Sequence, residues 1–126
     1  MNKEEVEQRS IFDWANLNIN KYPVLKFLNS SVNGMKTTIG VAIRAKRTGM
    51  KKGYPDIFLP YPNKKYHGLF IELKRQQNNT LKINKGRVTP EQVEWINYLN
   101  QVGYLALVCY GANEAINSIK DYLNDT

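Results

Sequence analysis

Sulfur and imidazole are nearly missing from this chain: its 126 residues include one cysteine, Cys109, and one histidine, His67. A single cysteine excludes an internal disulfide, and a reducing cytoplasm is the expected setting. One histidine and one distant cysteine cannot build a zinc site. His67, in a loop beside Tyr66, therefore reads as a surface residue and Cys109 as a small core residue. No apolar run approaches the roughly 18 residues of a transmembrane helix, so no membrane partner is expected. Met1-Asn2-Lys3-Glu4-Glu5 lacks the apolar stretch of a signal peptide. A phosphate-cradling glycine loop is also missing, which excludes NTP hydrolysis of the P-loop type. There is no internal repeat, low-complexity tract or linker, and the length suits one domain over residues 1–126.

Positive charge is plentiful. Lysine and arginine number 18 against 11 acids, a formal net charge of +7, and such an excess attracts polyanions. It is concentrated in the middle of the chain. Lys46, Arg47, Lys51 and Lys52 have no acid among them, and neither do Lys74, Arg75, Lys82, Lys85 and Arg87. Either run could be a solvated face or a nucleic-acid contact.

Apolar spacing supplies the elements. Lys3 to Leu17 reads as an amphipathic helix with Val6, Ile11, Phe12, Trp14 and Ala15 on one side. Val24 to Val32 alternates loosely and predicts a strand, with a turn at Asn33-Gly34. Thr37 to Thr48 predicts a short helix ending at Gly49. Asp56-Ile57-Phe58-Leu59 and Leu69 to Lys74 predict two strands joined by a hairpin-like loop. Gln76 to Arg87 is a polar, basic loop. Thr89-Pro90-Glu91-Gln92 is a helix start, with Thr as N-cap, Pro in the first position and Gln in the third. Val93, Ile96 and Leu99 carry its period and Gly103 ends it. Tyr104 to Tyr110 is an almost unbroken apolar strand, which predicts burial on both faces. Ala112 to Leu123 is a last helix with Ala115, Ile116, Ile119 and Leu123 inward. The order α-β-α-β-β-α-β-α predicts an α/β domain with a mixed central sheet flanked by helices.

Residues two apart in a strand share a face, so Glu72 and Lys74 project together while Ile71 and Leu73 point away. Pairing with the preceding strand would bring Asp56 beside them. Two carboxylates and an ammonium suit phosphodiester hydrolysis: hard oxygens hold Mg²⁺ or Mn²⁺, and a lysine stabilises charge on phosphorus. An exposed Glu–Lys pair after a Pro-Asp turn is the plainer reading. The apolar flanks Ile57-Phe58-Leu59 and Leu69-Phe70-Ile71 argue against it.

Pro55-Asp56, 15 intervening residues and then Glu72-Leu73-Lys74 resembles the motif of the PD-(D/E)XK nucleases. The surroundings narrow this. Gly49 to Asp56, the Gly68–Lys74 strand, Thr89 to Gln92 with Trp95, and Gly103-Tyr104 resemble the VRR-NUC branch, the virus-type replication-repair nucleases, in its stand-alone phage type. The resemblance implies a restriction-endonuclease-like core and Mg²⁺- or Mn²⁺-dependent DNA cleavage. Asp56, Glu72 and the Leu73 carbonyl would be metal ligands and Lys74 the catalytic lysine. The family's first-helix glutamate, four residues before a glutamine, falls on Glu4 and Gln8, with Glu5 and Glu7 close by. Gln92 matches a glutamine near the family's site and is also the capping partner of Thr89. Lys46, Arg47, Lys51, Lys52 and Arg75 would contact phosphates, with Gln8 nearby. Tyr54, Tyr61 and Tyr66 could stack on bases or simply pack. Stand-alone members resemble four-way-junction resolvases acting as homodimers, which implies branched DNA as substrate and a phage gene expressed in a bacterial cytoplasm. A nickase or single-strand nuclease is the next reading, and a non-catalytic DNA-binding module the one after it.

Overall fold

A computed structural model of the protein describes residues 3–31 and 38–125. The chain runs through helix α1 (Lys3–Leu17), strand β1 (Asn29–Ser30), helix α2 (Ile39–Arg47), strands β2 (Ile57–Leu59) and β3 (Leu69–Lys74), helix α3 (Pro90–Gln101), strand β4 (Leu105–Tyr110) and helix α4 (Ala112–Asn124). The strands form one sheet in the order β1-β2-β3-β4. The first two pairings are antiparallel and β3–β4 is parallel, with α3 as the crossover.

β3 is the hub, and all six of its residues are buried. Period-2 alternation divides them. Leu69, Ile71 and Leu73 join Ile11, Ala15, Ala115 and Ile119 in a core beneath α1 and α4. On the other face Phe70 joins Leu99 and Ala106, with Phe58, Tyr54, Trp95 and Tyr104 packed around them. Phe58 and Phe70 are register partners across β2 and β3, and their rings stack at 4.2 Å. Helices therefore cover both faces, α1 and α4 on one and α3 on the other.

Local chemistry sets the element ends. At α3, the Gln92 N–H donates to Thr89 Oγ1 at 3.2 Å and the Thr89 N–H donates to Gln92 Oε1 at 2.9 Å, a complete capping box. Gly103 follows the helix with φ +102°, the left-handed stop that glycine takes most readily. Thr38 caps α2 by accepting from the Val41 N–H.

The structure corrects several expectations. The strand expected over Val24 to Val32 is not continuous as far as Ser31, and Val32 lies outside the described residues. Pro23 fixes φ and opens a 3-10 turn over Pro23–Phe27, leaving two residues for β1. The Asn33-Gly34 turn and Thr37 lie outside the described residues. β4 is an edge strand of which only Ala106 and Cys109 are buried; its apolar run fills half-covered positions under α3 and α4. Val6 and Val93 are exposed, at 51% and 44%, because α1 and α3 each lie on the sheet along a narrow stripe.

Candidate active site

β3 brings two ionisable side chains into the interior. Glu72 is 3% exposed and Lys74 8%, on the face that further down holds Phe70. Asp56 comes from the chain just before β2. The carbonyls of Gly68 and Lys74 accept from the N–H groups of Leu105 and Gly111 on the β4 side. Even-numbered residues of β3 thus aim their backbone groups at β4 and odd-numbered ones at β2. Continuing the register past Ile57↔Ile71 sets Pro55 opposite Leu73. Proline has no N–H to give the Leu73 carbonyl. The Leu73 N–H donates instead to Asp56 Oδ2 at 2.7 Å. The Pro-Asp pair thus fixes the first carboxylate and leaves the Leu73 carbonyl without a strand partner.

The two carboxylates touch. Burial pushes the Glu72 carboxyl up to about 9 from an ordinary value near 4.5, helped by the hydrogen bond its protonated form donates to Asp56 and by the Asp56 charge. The Lys74 ammonium pulls the other way, and the Glu4 charge adds to the rise. Two anions this close cannot both ionise cheaply unless a cation joins them.

The group opens into a cleft of about 330 Å³. Asp56, Glu72 and Lys74 form its floor. Thr89 and Gln92 contribute from the start of α3, Glu4 from the start of α1, and Lys52, Gly53 and Tyr54 from the strand approach. Gly53 is required where it stands. Its φ is +89°, and a Cβ there would lie 2.6 Å from the Glu91 backbone, so the loop can rest directly on α3. The contact is reinforced by Trp95 Nε1, which donates to the Lys52 carbonyl at 3.2 Å, and by the edge of the Tyr54 ring against Trp95.

Six expected residues therefore converge: Asp56, Glu72, Lys74, Gln92, Glu4 and Lys52. Gln92 both caps α3 and lines the cleft. Of the first-helix glutamates, Glu4 lines the cleft, whereas Glu5 and Glu7 do not. Glu7 accepts from the Ala112 N–H at the start of α4 and from Gln76 Nε2. Gln8, Lys46, Arg47, Lys51 and Arg75 do not line the cleft. Arg75 Nε donates to the Asn84 carbonyl at 2.7 Å. Tyr61 and Tyr66 lie away from the site, packed with the first core near Tyr122, so of the three tyrosines only Tyr54 is local. Trp14 packs against the core, and Cys109 is buried. Among the described residues no three His, Cys, Asp or Glu side chains are gathered closely enough to cage a metal by themselves.

The donors that are present are all oxygen: two carboxylates in contact and a free backbone carbonyl. That set fits a hard divalent ion that keeps several waters, and it does not fit a thiolate or imidazole metal. The VRR-NUC domain family model matches residues 2–113, and the chain belongs to that family. A solved structure described as a VRR_NUC domain protein is 29% identical. It aligns over 99% of this chain and 91% of its own, with a TM-score of 0.78. No curated protein matches the chain. Family membership gives the chain a nuclease-type DNA-processing function. No helix among the described residues is long and apolar enough to cross a membrane.

Proposed function

We propose that the protein is a Mg²⁺- or Mn²⁺-dependent endodeoxyribonuclease selective for branched DNA, four-way junctions above all, acting as a homodimer. The observation that carries the reading is the contact of a buried Glu72 with a half-buried Asp56 beside Lys74, open to a cleft. Asp56, Glu72 and the Leu73 carbonyl would hold the cation, with Glu4 lining the same cleft. When bound, the cation supplies Lewis-acid polarisation of the phosphate and a counter-charge for the carboxylates.

The chain's own groups do the rest. Lys74 orients the attacking water and neutralises charge that grows on the phosphoryl oxygens. Its burial keeps that ammonium dry and so strengthens its field. The Gln92 carbonyl oxygen is occupied by the cap, which leaves its NH₂ to donate to a phosphate. The water oxygen bonds to phosphorus as the bond to the 3′ oxygen breaks; the water gives up one proton to solvent, and the 3′ oxygen takes one up from solvent. The ends are a 5′-phosphate and a 3′-hydroxyl. Lys46, Arg47, Lys51, Lys52 and Arg75, with Gln8, contact the flanking backbone and fix position without reading sequence. Two such sites related by a two-fold axis suit paired cuts in a symmetric junction.

The test is cleavage of a labelled four-way junction, linear duplex and single strand with Mg²⁺, Mn²⁺ or EDTA, comparing wild type with Asp56→Asn and Lys74→Ala. Metal-dependent paired cuts that both substitutions abolish are expected. Equal cutting of all substrates would replace the resolvase reading with an unselective nuclease. Tight binding without scission under any metal would leave a DNA-binding module.

A further inference from the structure

The chain between β3 and α3 carries no acid from Arg75 to Val88, and it is not a slack loop. Its limbs are tied at the root, where the Gly86 N–H donates to the Arg75 carbonyl at 2.8 Å. They are tied again near the tip by two 2.9 Å backbone hydrogen bonds between Asn78 and Ile83. Inside the tip the Leu81 N–H donates to Asn78 Oδ1 at 3.1 Å. Lys82 takes a left-handed conformation, φ 54°, which a lysine holds only where its surroundings fix it.

The root rests on the site. A Cβ on Gly86 would meet the Lys74 Cβ at 3.4 Å, and Lys85 Nζ stands 3.9 Å over the Tyr110 ring at the end of β4. The tip then presents Leu81, 60% exposed. Among the described residues neither core cluster includes that leucine, although the turn beneath it is hydrogen-bonded. Three residues of extended chain separate root from tip, about 10 Å. That is about three base steps along one strand.

We propose that this flap is a wedge, with Leu81 entering between bases while Lys82 and Arg87 neutralise the adjacent phosphates. The inference rests on the nuclease reading of the cleft. Charge selects the occupant: a basic flap rooted beside the proposed phosphate-cutting site fits DNA. Apolar side chains inserted between base steps unstack them. Unstacking costs least where pairing is already interrupted. A wedge set a fixed distance from the scissile phosphate therefore favours a branch point over continuous duplex, which gives this small domain a source of structure selectivity.

The test uses a four-way junction with 2-aminopurine at the branch. Fluorescence is read in EDTA, where nothing is cut, and cleavage of junction and continuous duplex is read in Mn²⁺. Wild type and Leu81→Met should brighten the probe, and Leu81→Ala should not. The ratio of junction to duplex cleavage should fall about tenfold in Leu81→Ala, equivalent to about 1.4 kcal/mol. An unchanged signal and ratio in Leu81→Ala, with wild type cutting, overturns the wedge and leaves the nuclease standing. Leu81-dependent brightening without scission by wild type in any metal supports the wedge and overturns the nuclease reading. A wild-type protein that never brightens the probe overturns the wedge, including the case in which Leu81 meets a protein.

Discussion

The face of β3 beneath α1 and α4 carries Leu69, Ile71 and Leu73; the face beneath α3 carries Phe70, Glu72 and Lys74. All six are buried, so burial does not tell the two apart. On the first face each side chain meets apolar neighbours, and each contributes on the order of 1.5–3 kcal/mol to folding. On the second the apolar contacts stop after Phe70, and a carboxyl and an ammonium follow where solvation is poor. The first face stabilises the fold. The second works against stability and is held by neighbours that fix it in place: the Asp56–Leu73 bond, the capped start of α3 and the Gly53 turn.

Exchanging damage between the faces gives the sharpest contrast. Lys74→Ala or Asp56→Asn should cut the cleavage rate by about 10³-fold or more, with little change in the urea midpoint. Ile71→Ala should cost about 2–5 kcal/mol of stability while the folded fraction still cuts. If Lys74→Ala kept full activity, the second face would lose its claim to the chemistry.

Glu72 sharpens the contrast through pH. Its folded pKa lies above its unfolded one, near 9 against 4.5. The stability it contributes is complete below about 4.5 and drains away as pH rises through about 9. In EDTA wild-type stability should therefore decline over that window, and Glu72→Gln should decline less. At pH 7 the variant should be the more stable by about 3 kcal/mol. Adding Mn²⁺ should reverse the order, since only the carboxylate pair gains from binding. Thermal melts across pH with and without metal would show it. The smallest effect belongs to the surface: replacing Lys46 and Arg47 by alanine should lower the slope of log K against log salt by about two on duplex DNA.

Much of this arrangement could be read from residue order. Thr89-Pro90-Glu91-Gln92 carries its own cap, and β3 carries its own alternation. Between Asp13 and Glu91 the only acids are Asp56 and Glu72, a scarcity that itself points to the site. What escaped the sequence was whatever depends on a neighbour. An apolar run such as Leu105 to Tyr110 looks the same at an edge as in the centre of a sheet. Glu4 and Glu7 lie one turn apart on α1, and only the position of α4 decides that Glu7 is engaged. Tyr61 and Tyr66 are near Asp56 along the chain, but the β2–β3 connection carries them away. The flap looked like polar loop because its ties run between backbone atoms, which residue types do not reveal.

The hydrogen bond from the Leu73 amide to Asp56 replaces the last rung of a ladder with a side chain. An ordinary rung opens when strands part; this one opens when a carboxylate turns. The Leu73 amide is accordingly a spectroscopic gauge built into the protein. Its chemical shift and hydrogen-exchange rate should follow the orientation of Asp56 as Mg²⁺ is titrated in, while the Ile71 amide, one pair further into the sheet, holds still. The state of the carboxylate pair could then be followed in solution with no substrate present.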